Sequence, residues 1–126
     1  IEIVKRQGGS VSFDPNVRKE MLVLGIHEIV VKRGRQGCEY YDTTRRLSVP
    51  ALPVHEVDPT GAGDCFAATY VTCRNRGMPV EQSLRYACAS GASAVMRTGP
   101  MEGTAGFTDL DALLAHYDLS REAGHA

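Results

Sequence analysis

Hydrophobic and polar positions change period twice along this chain. Ser10-Val11-Ser12-Phe13 has the β-branched and aromatic character of a short strand. Asp14-Pro15 ends it, because proline fixes its own φ and disfavours helix in the residue before it. Val17, Met21 and Leu24 fit helical spacing over 17–28, which Gly25 weakens. Residues 28–32 read as a buried-type strand, 34–37 as a turn and 38–42 as a second strand, together a hairpin with a four-residue connection. Residues 45–49 predict a further strand, and Pro50 and Pro53 punctuate the path to 54–57. From Ala62 the period becomes helical through Arg76, with Phe66, Tyr70 and Cys73 on one face and Gly77 and Pro79 as stop signals. Residues 80–96 predict a second helix whose narrow face is small: Leu84, Ala87, Cys88, Gly91, Ala92 and Val95. Thr108-Asp109-Leu110-Asp111 has the form of a capping box with Asp111 in place of the usual Glu. It opens a last helix through Leu113, Leu114 and Tyr117, with fraying expected after Ser120.

Composition adds bounds. With 126 residues, 43% hydrophobic and 23% charged, the chain fits one globular domain with a workable core. A formal net charge of −1 gives no general attraction to nucleic acid or an anionic membrane, so any phosphate binding must be local. Cys38, Cys65, Cys73 and Cys88 form no CxxC pair or regular framework, which argues for reduced thiols in a cytoplasm. No apolar run approaches the roughly 20 residues that span a bilayer, and no signal-peptide h-region opens the chain. A cytoplasmic location is therefore expected.

The stretch that carries chemistry is Asp58-Pro59-Thr60-Gly61-Ala62-Gly63-Asp64, leading into Cys65-Phe66-Ala67-Ala68. Gly61, Ala62 and Gly63 let backbone N–H groups crowd at a helix start, where unpaired amides and the positive dipole end make an anion site. A carboxylate would repel the anion that such a turn attracts. Asp64 there suits a base that takes a proton from a hydroxyl as the hydroxyl attacks phosphorus. The plainer reading is a capped helix start, and short glycine motifs support both.

Val57 to Phe66 also resembles the signature of the ribokinase-like (PfkB) carbohydrate kinases. Phe13-Asp14-Pro15-Asn16-Val17-Arg18, Val30-Val31-Lys32-Arg33-Gly34-Arg35-Gln36-Gly37, and Ala89-Ser90-Gly91-Ala92 before Gly99 accompany it in family order. Gly99-Pro100-Met101-Glu102-Gly103 is similar to the ending of bacterial tagatose and fructose kinases. The resemblance implies an α/β, Rossmann-like ribokinase fold: the C-terminal part of a mainly parallel sheet flanked by helices, with an antiparallel edge hairpin. It also implies a single nucleotide-binding and catalytic portion over 1–126, lacking the family's substrate half and lid. Leu22 runs into Val23 as if a stretch between them were omitted. The family's dimers are usually built through the lid, so a homodimer would draw on that absent part.

The resemblance assigns roles residue by residue. Asp64 would be the general base, with the amides of Gly61, Ala62 and Gly63 stabilising charge on the transferring phosphoryl group. Lys32, Gly34 and Gly37 would lie beside the ATP phosphates and nucleoside; as residues alone they read equally as a hairpin turn and an edge-strand lysine. Cys88, Ala89, Gly91 and Ala92 would line the adenine pocket, although tight helix packing selects the same small side chains. Asp14, Asn16 and Arg18 would face substrate or phosphate after a strand's C-terminal end. Asp14 and Asn16 also fit local turn bonding, and Arg18 also fits covering apolar surface. ATP and Mg²⁺ are the implied cofactors, the metal entering with the nucleotide phosphates. A monovalent cation such as K⁺ would use Asp58 and Thr60 with the backbone of Ala94, Arg97, Gly99 and Gly103; Asp58 also reads as a cap or turn former. The implied reaction moves a phosphoryl group from ATP to a hydroxyl of a sugar. Tagatose or fructose leads, with keto-deoxy-gluconate and nucleosides open. The alternatives are a nucleotide-binding module without catalysis and an inactive truncated fragment.

Overall fold

The computed structural model describes residues 27–96 and 105–124. The run Ile29–Lys32 forms strand β1, Cys38–Tyr41 β2 and Arg46–Val49 β3, in an antiparallel meander of order β1-β2-β3. Lys32 pairs with Cys38 and Ile29 with Tyr41; on the other side Cys38 pairs with Val49 and Tyr41 with Arg46. The first connection is a 3-10 turn, Gly34–Gln36, closed by Arg33 N donating to Gly37 O at 2.7 Å. Asp42 builds the second. Its Oδ1 accepts from the Thr44 and Arg45 amides at 2.8 and 2.7 Å, the side-chain bonding by which aspartate favours turns.

Three helices follow: α1 Ala62–Asn75, α2 Val80–Val95 and α3 Phe107–Gly124. Buried positions in α2 recur at helical spacing, with Leu84, Ala87 and Ala89 having no exposed surface. This face meets Cys38 and Tyr40 on the inner side of β2, Leu52 after β3, Phe66 of α1, and Leu110 and Leu114 of α3. One core therefore joins the meander to all three helices. Truncating a buried leucine such as Leu84 costs about 2–5 kcal/mol in cores of this kind.

Polar ties fix the remaining angles. Glu28, just before β1, accepts from Arg74 Nη2 at 2.5 Å and Tyr70 OH at 3.0 Å, fastening the start of the meander to α1. Burial, followed by the Glu28 charge, pushes the Tyr70 phenol well above its ordinary pKa. Arg85 of α2 holds both oxygens of Asp118 of α3 at 2.7 and 2.8 Å, and the rings of Tyr86 and Phe107 meet edge to face at 5.4 Å.

Three expectations change. The last helix starts at Phe107, and the residue that reaches back is Asp109, whose Oδ2 accepts from the Gly106 amide at 3.1 Å. Asp111 instead accepts a hydrogen bond from Tyr86 OH, so the cap sits two positions earlier than the expected box. The helix continues to Gly124, beyond the fraying expected after Ser120. Residues 27 and 28 are not helical, and the rest of the helix expected over 17–28 lies outside the described residues. So do the strand at 10–13 and the junction between Leu22 and Val23; the described strands pair only antiparallel.

Glycine is required at Gly37. Its φ is 90°, and a Cβ there would stand 2.0 Å from Val49 O and 2.7 Å from Ala51 N. Gly34 has φ 55° but faces open space. Gly34→Ala is expected to cost about 1 kcal/mol from backbone strain alone, whereas Gly37→Ala adds backbone overlap and should exceed about 3 kcal/mol. Urea midpoints of the two variants check the ordering.

Glu39 gives a second prediction. Its carboxylate accepts from Tyr41 OH, from Arg46 Nη2 at 3.1 Å and from Arg33 Nη2 at 3.0 Å. These bonds, that of Tyr41 foremost, hold it at about 2. A depressed carboxylate stabilises the fold above its unfolded pKa of about 4.3 and loses that contribution as pH falls toward the folded value. The melting-temperature gap between wild type and Glu39→Gln should therefore shrink as pH is lowered from 5 to 2.

Candidate active site

The turn before α1 is built from its own side chains. Asp58 Oδ1 accepts from Thr60 N at 3.0 Å and Thr60 Oγ1 at 2.6 Å, and Pro59 O accepts from Ala62 N at 3.2 Å. Gly61 caps the helix with φ 80°, a left-handed conformation that glycine adopts at little cost. Cys65 N donates to Gly61 O at 3.0 Å, the first full helical bond here. The first amides of a helix lack partners inside it, so the Gly63 and Asp64 N–H groups point out of this end with the positive dipole.

The turn is anchored from behind. Val95 O, at the end of α2, accepts from both Val57 N at 2.7 Å and Asp58 N at 3.0 Å. Ser90 Oγ donates to Cys65 O at 3.3 Å, and an added Cβ at Gly91 would lie 3.5 Å from Ala62 O. The small face of α2 thus lets the start of α1 lie close against it.

Asp64 stands exposed on the first turn of α1. Lys32, the last residue of β1, reaches the same spot, with Nζ 3.5 Å from Gly63 O. The structure therefore joins two features that the sequence separates by thirty-one positions, an ammonium group and the Gly-Ala-Gly-Asp turn. Together they put anion-attracting amides and a cation at one solvent-facing helix end, with Asp64 the next residue after Gly63.

Other expected site residues sit elsewhere. Gly34 is exposed at the tip of the first connection, and Gly37 is buried against the segment after β3. Cys88, Ala89 and Ala92 are buried in the helix-sheet core, and Ala94 is 1% exposed. Of the residues assigned to adenine, only Gly91 is more than marginally exposed. Asp14, Asn16 and Arg18, with Arg97, Gly99 and Gly103, lie outside the described residues. The reading of the sequence missed the anchoring role of the Val95 carbonyl and the Glu28, Tyr70 and Arg74 cluster. A backbone acceptor leaves no residue-type signal, and the cluster joins positions more than forty apart.

Among the described residues no group of three or more His, Cys, Asp or Glu could hold a metal ion. No helix among them is long and apolar enough to cross a membrane.

Residues 3–105 match the family model described as pfkB family carbohydrate kinase. The chain is 29% identical over 106 residues to a ribokinase of Bacillus subtilis, covering 84% of this chain and 36% of that protein. It is 32% identical over 81 residues to a D-tagatose-1-phosphate kinase of Bacillus licheniformis, covering 64% and 27%. Among solved structures, a provisionally named ribokinase II from E. coli, in complex with ATP and Mg²⁺, superposes with a TM-score of 0.79 at 35% identity. That match covers 91% of this chain and 51% of the other. The chain belongs to the pfkB family of carbohydrate kinases and has part of the ribokinase fold. It spans about a third of the length of the curated relatives it matches.

Proposed function

We propose that this chain supplies the nucleotide-binding and catalytic portion of a kinase that transfers the γ-phosphoryl group of ATP to a sugar hydroxyl. The observation that carries the reading is the meeting of Lys32, the Gly61-Ala62-Gly63 turn and Asp64 at one helix end. Family membership supplies the class of reaction.

In this reading Asp64 takes the proton of the attacking hydroxyl, its carboxylate being exposed where a substrate can approach. The Gly63 and Asp64 amides face the charge that builds on the transferring group, and the Lys32 ammonium neutralises part of it. Mg²⁺, when bound, shields the ATP phosphates and draws few ligands from protein, which agrees with a site built of amides and single charges. Gly34 and Gly37 shape the hairpin tip flanking the nucleotide. Adenine would rest beside α2 near Gly91, with Cys88, Ala89 and Ala92 supporting that wall from the core.

A monovalent cation such as K⁺ fits the corner where Asp58 meets the end of α2. A carboxylate and the negative end of a helix dipole converge there, and hard cations take such oxygen donors. Asp14, Asn16 and Arg18 are proposed to face substrate or phosphate, and the Arg97, Gly99 and Gly103 backbone to complete the cation site. Tagatose or fructose is the proposed acceptor, favoured by Gly99-Pro100-Met101-Glu102-Gly103.

Asp64→Asn should lower sugar-dependent ADP production about 10²–10⁴-fold, the usual worth of a positioned base, while calorimetry finds ATP affinity little changed. Near-normal turnover would remove the base assignment. Assays over tagatose, fructose, keto-deoxy-gluconate, ribose and nucleosides name the acceptor, and ATP binding without ADP release on any of them would favour a binding module. Lys32→Met should reduce kcat/KM about 10- to 100-fold, as expected for losing a charged hydrogen bond to phosphate, with no shift in melting temperature. An unchanged kcat/KM would make Lys32 a plain edge-strand residue.

A further inference from the structure

Cys38 takes no part in the proposed chemistry and Cys88 only backs the proposed adenine wall, yet their thiols meet in the described core. Cys38 opens β2 immediately after Gly37, and Cys88 lies in the middle of α2, fifty positions away. Their Sγ atoms are 3.7 Å apart, and the two residues are 2% and 8% exposed. A disulfide needs about 2.05 Å between sulfurs, so closure has to bring these two atoms nearer than their 3.7 Å contact. The other two cysteines differ: Cys65 is half-buried on α1 with its carbonyl held by Ser90, and Cys73 is buried on the far part of the same helix.

We propose that Cys38 and Cys88 are a peroxide-responsive dithiol, closing to a disulfide that fastens the first hairpin to α2. Cys38 is assigned as the attacking sulfur: the hydrogen bond between the two sulfurs, with one from the Val49 backbone, lowers its pKa, whereas that contact and burial raise Cys88. The Cys38 thiolate attacks one oxygen of hydrogen peroxide; the O–O bond breaks, hydroxide leaves and takes a proton to become water, and Cys38 becomes a sulfenic acid. Cys88 sulfur then attacks Cys38 Sγ. The S–S bond forms, the S–O bond breaks, and the released hydroxide takes the Cys88 proton as a second water. Two thiols are oxidised by two electrons and the peroxide is reduced.

The crosslink would restrain two elements at once. Gly34 and Gly37 belong to the hairpin that ends in Cys38, and Gly91 lies one turn beyond Cys88 on α2. The effect on nucleotide affinity rests on the function proposed above; the crosslink itself does not.

The test treats the purified full chain with hydrogen peroxide, blocks remaining thiols with N-ethylmaleimide under denaturing conditions, and reads intact mass and peptide maps. The expected product carries two fewer adducts than the untreated chain and yields a Cys38–Cys88 linked peptide that dithiothreitol reverses. Cys65→Ser/Cys73→Ser should retain the linkage, and Cys38→Ser and Cys88→Ser should each abolish it. Because a core serine can unfold the chain, Cys38→Ala is run beside them with circular dichroism. Four adducts after treatment of folded protein overturn the proposal, as does a linkage through Cys65 or Cys73. Calorimetry of the oxidised and reduced chain with ATP then reads the consequence: loss of the linkage sinks the dithiol, whereas a linkage with no ATP binding in either state counts against the function alone.

Discussion

A single carbonyl oxygen, that of Val95, ties the turn proposed to carry the chemistry to the end of α2. It accepts two amides, those of Val57 and Asp58, as the chain arrives from the meander and turns toward α1. Each such bond nets only about 1 kcal/mol, but the two share one acceptor and so tie consecutive residues to the same point on α2. The turn is therefore fixed relative to α2 before its own side chains act. Asp58 then needs only to hold Thr60, and Gly61 only to reverse the backbone, for α1 to start where it does.

Much of this was legible in order of period. The strands expected over 28–32 and 38–42 have observed ends within a residue or two of those expected, the helix from Ala62 ends before its stop signals Gly77 and Pro79, and the helix from Val80 ends within a residue of the expected 96. Gly37 falls in the expected 34–37 turn, whereas Asp42, expected to end the second strand, builds the next turn instead. The misses have a common physical cause. The cap of α3 depends on which of two acidic residues reaches back, and both Asp109 and Asp111 fit a short motif. Only the pull of Tyr86 on Asp111, a contact between helices, separates them.

The small face of α2 is a sharper case. Small side chains at Cys88, Ala89, Gly91 and Ala92 are equally what a flat ligand and a close helix would select. Burial separates the two demands: Ala89 has no exposed surface and belongs to packing, while Gly91 lies where α2 crosses the first turn of α1. One run of residues thus serves the core along most of its length and reaches the proposed site at one position.

The hairpin supplies the other half of the site through a constraint that looks unrelated to it. Gly37 lets the start of β2 approach the Val49 carbonyl more closely than any side chain would permit, which draws β3 and the segment after it against the turn. That approach belongs to the register in which Cys38 pairs with Val49, and the same glycine's carbonyl, accepting from Arg33 N at 2.7 Å, closes the turn that pairs Cys38 with Lys32. Register determines which face each side chain takes, since a slip of one residue reverses them all. With this register, Cys38 enters the core and Lys32 reaches the α1 end, 3.5 Å from Gly63 O. The cation beside the turn is therefore a consequence of strand pairing, and the pairing is a consequence of a glycine that never needs to touch a ligand.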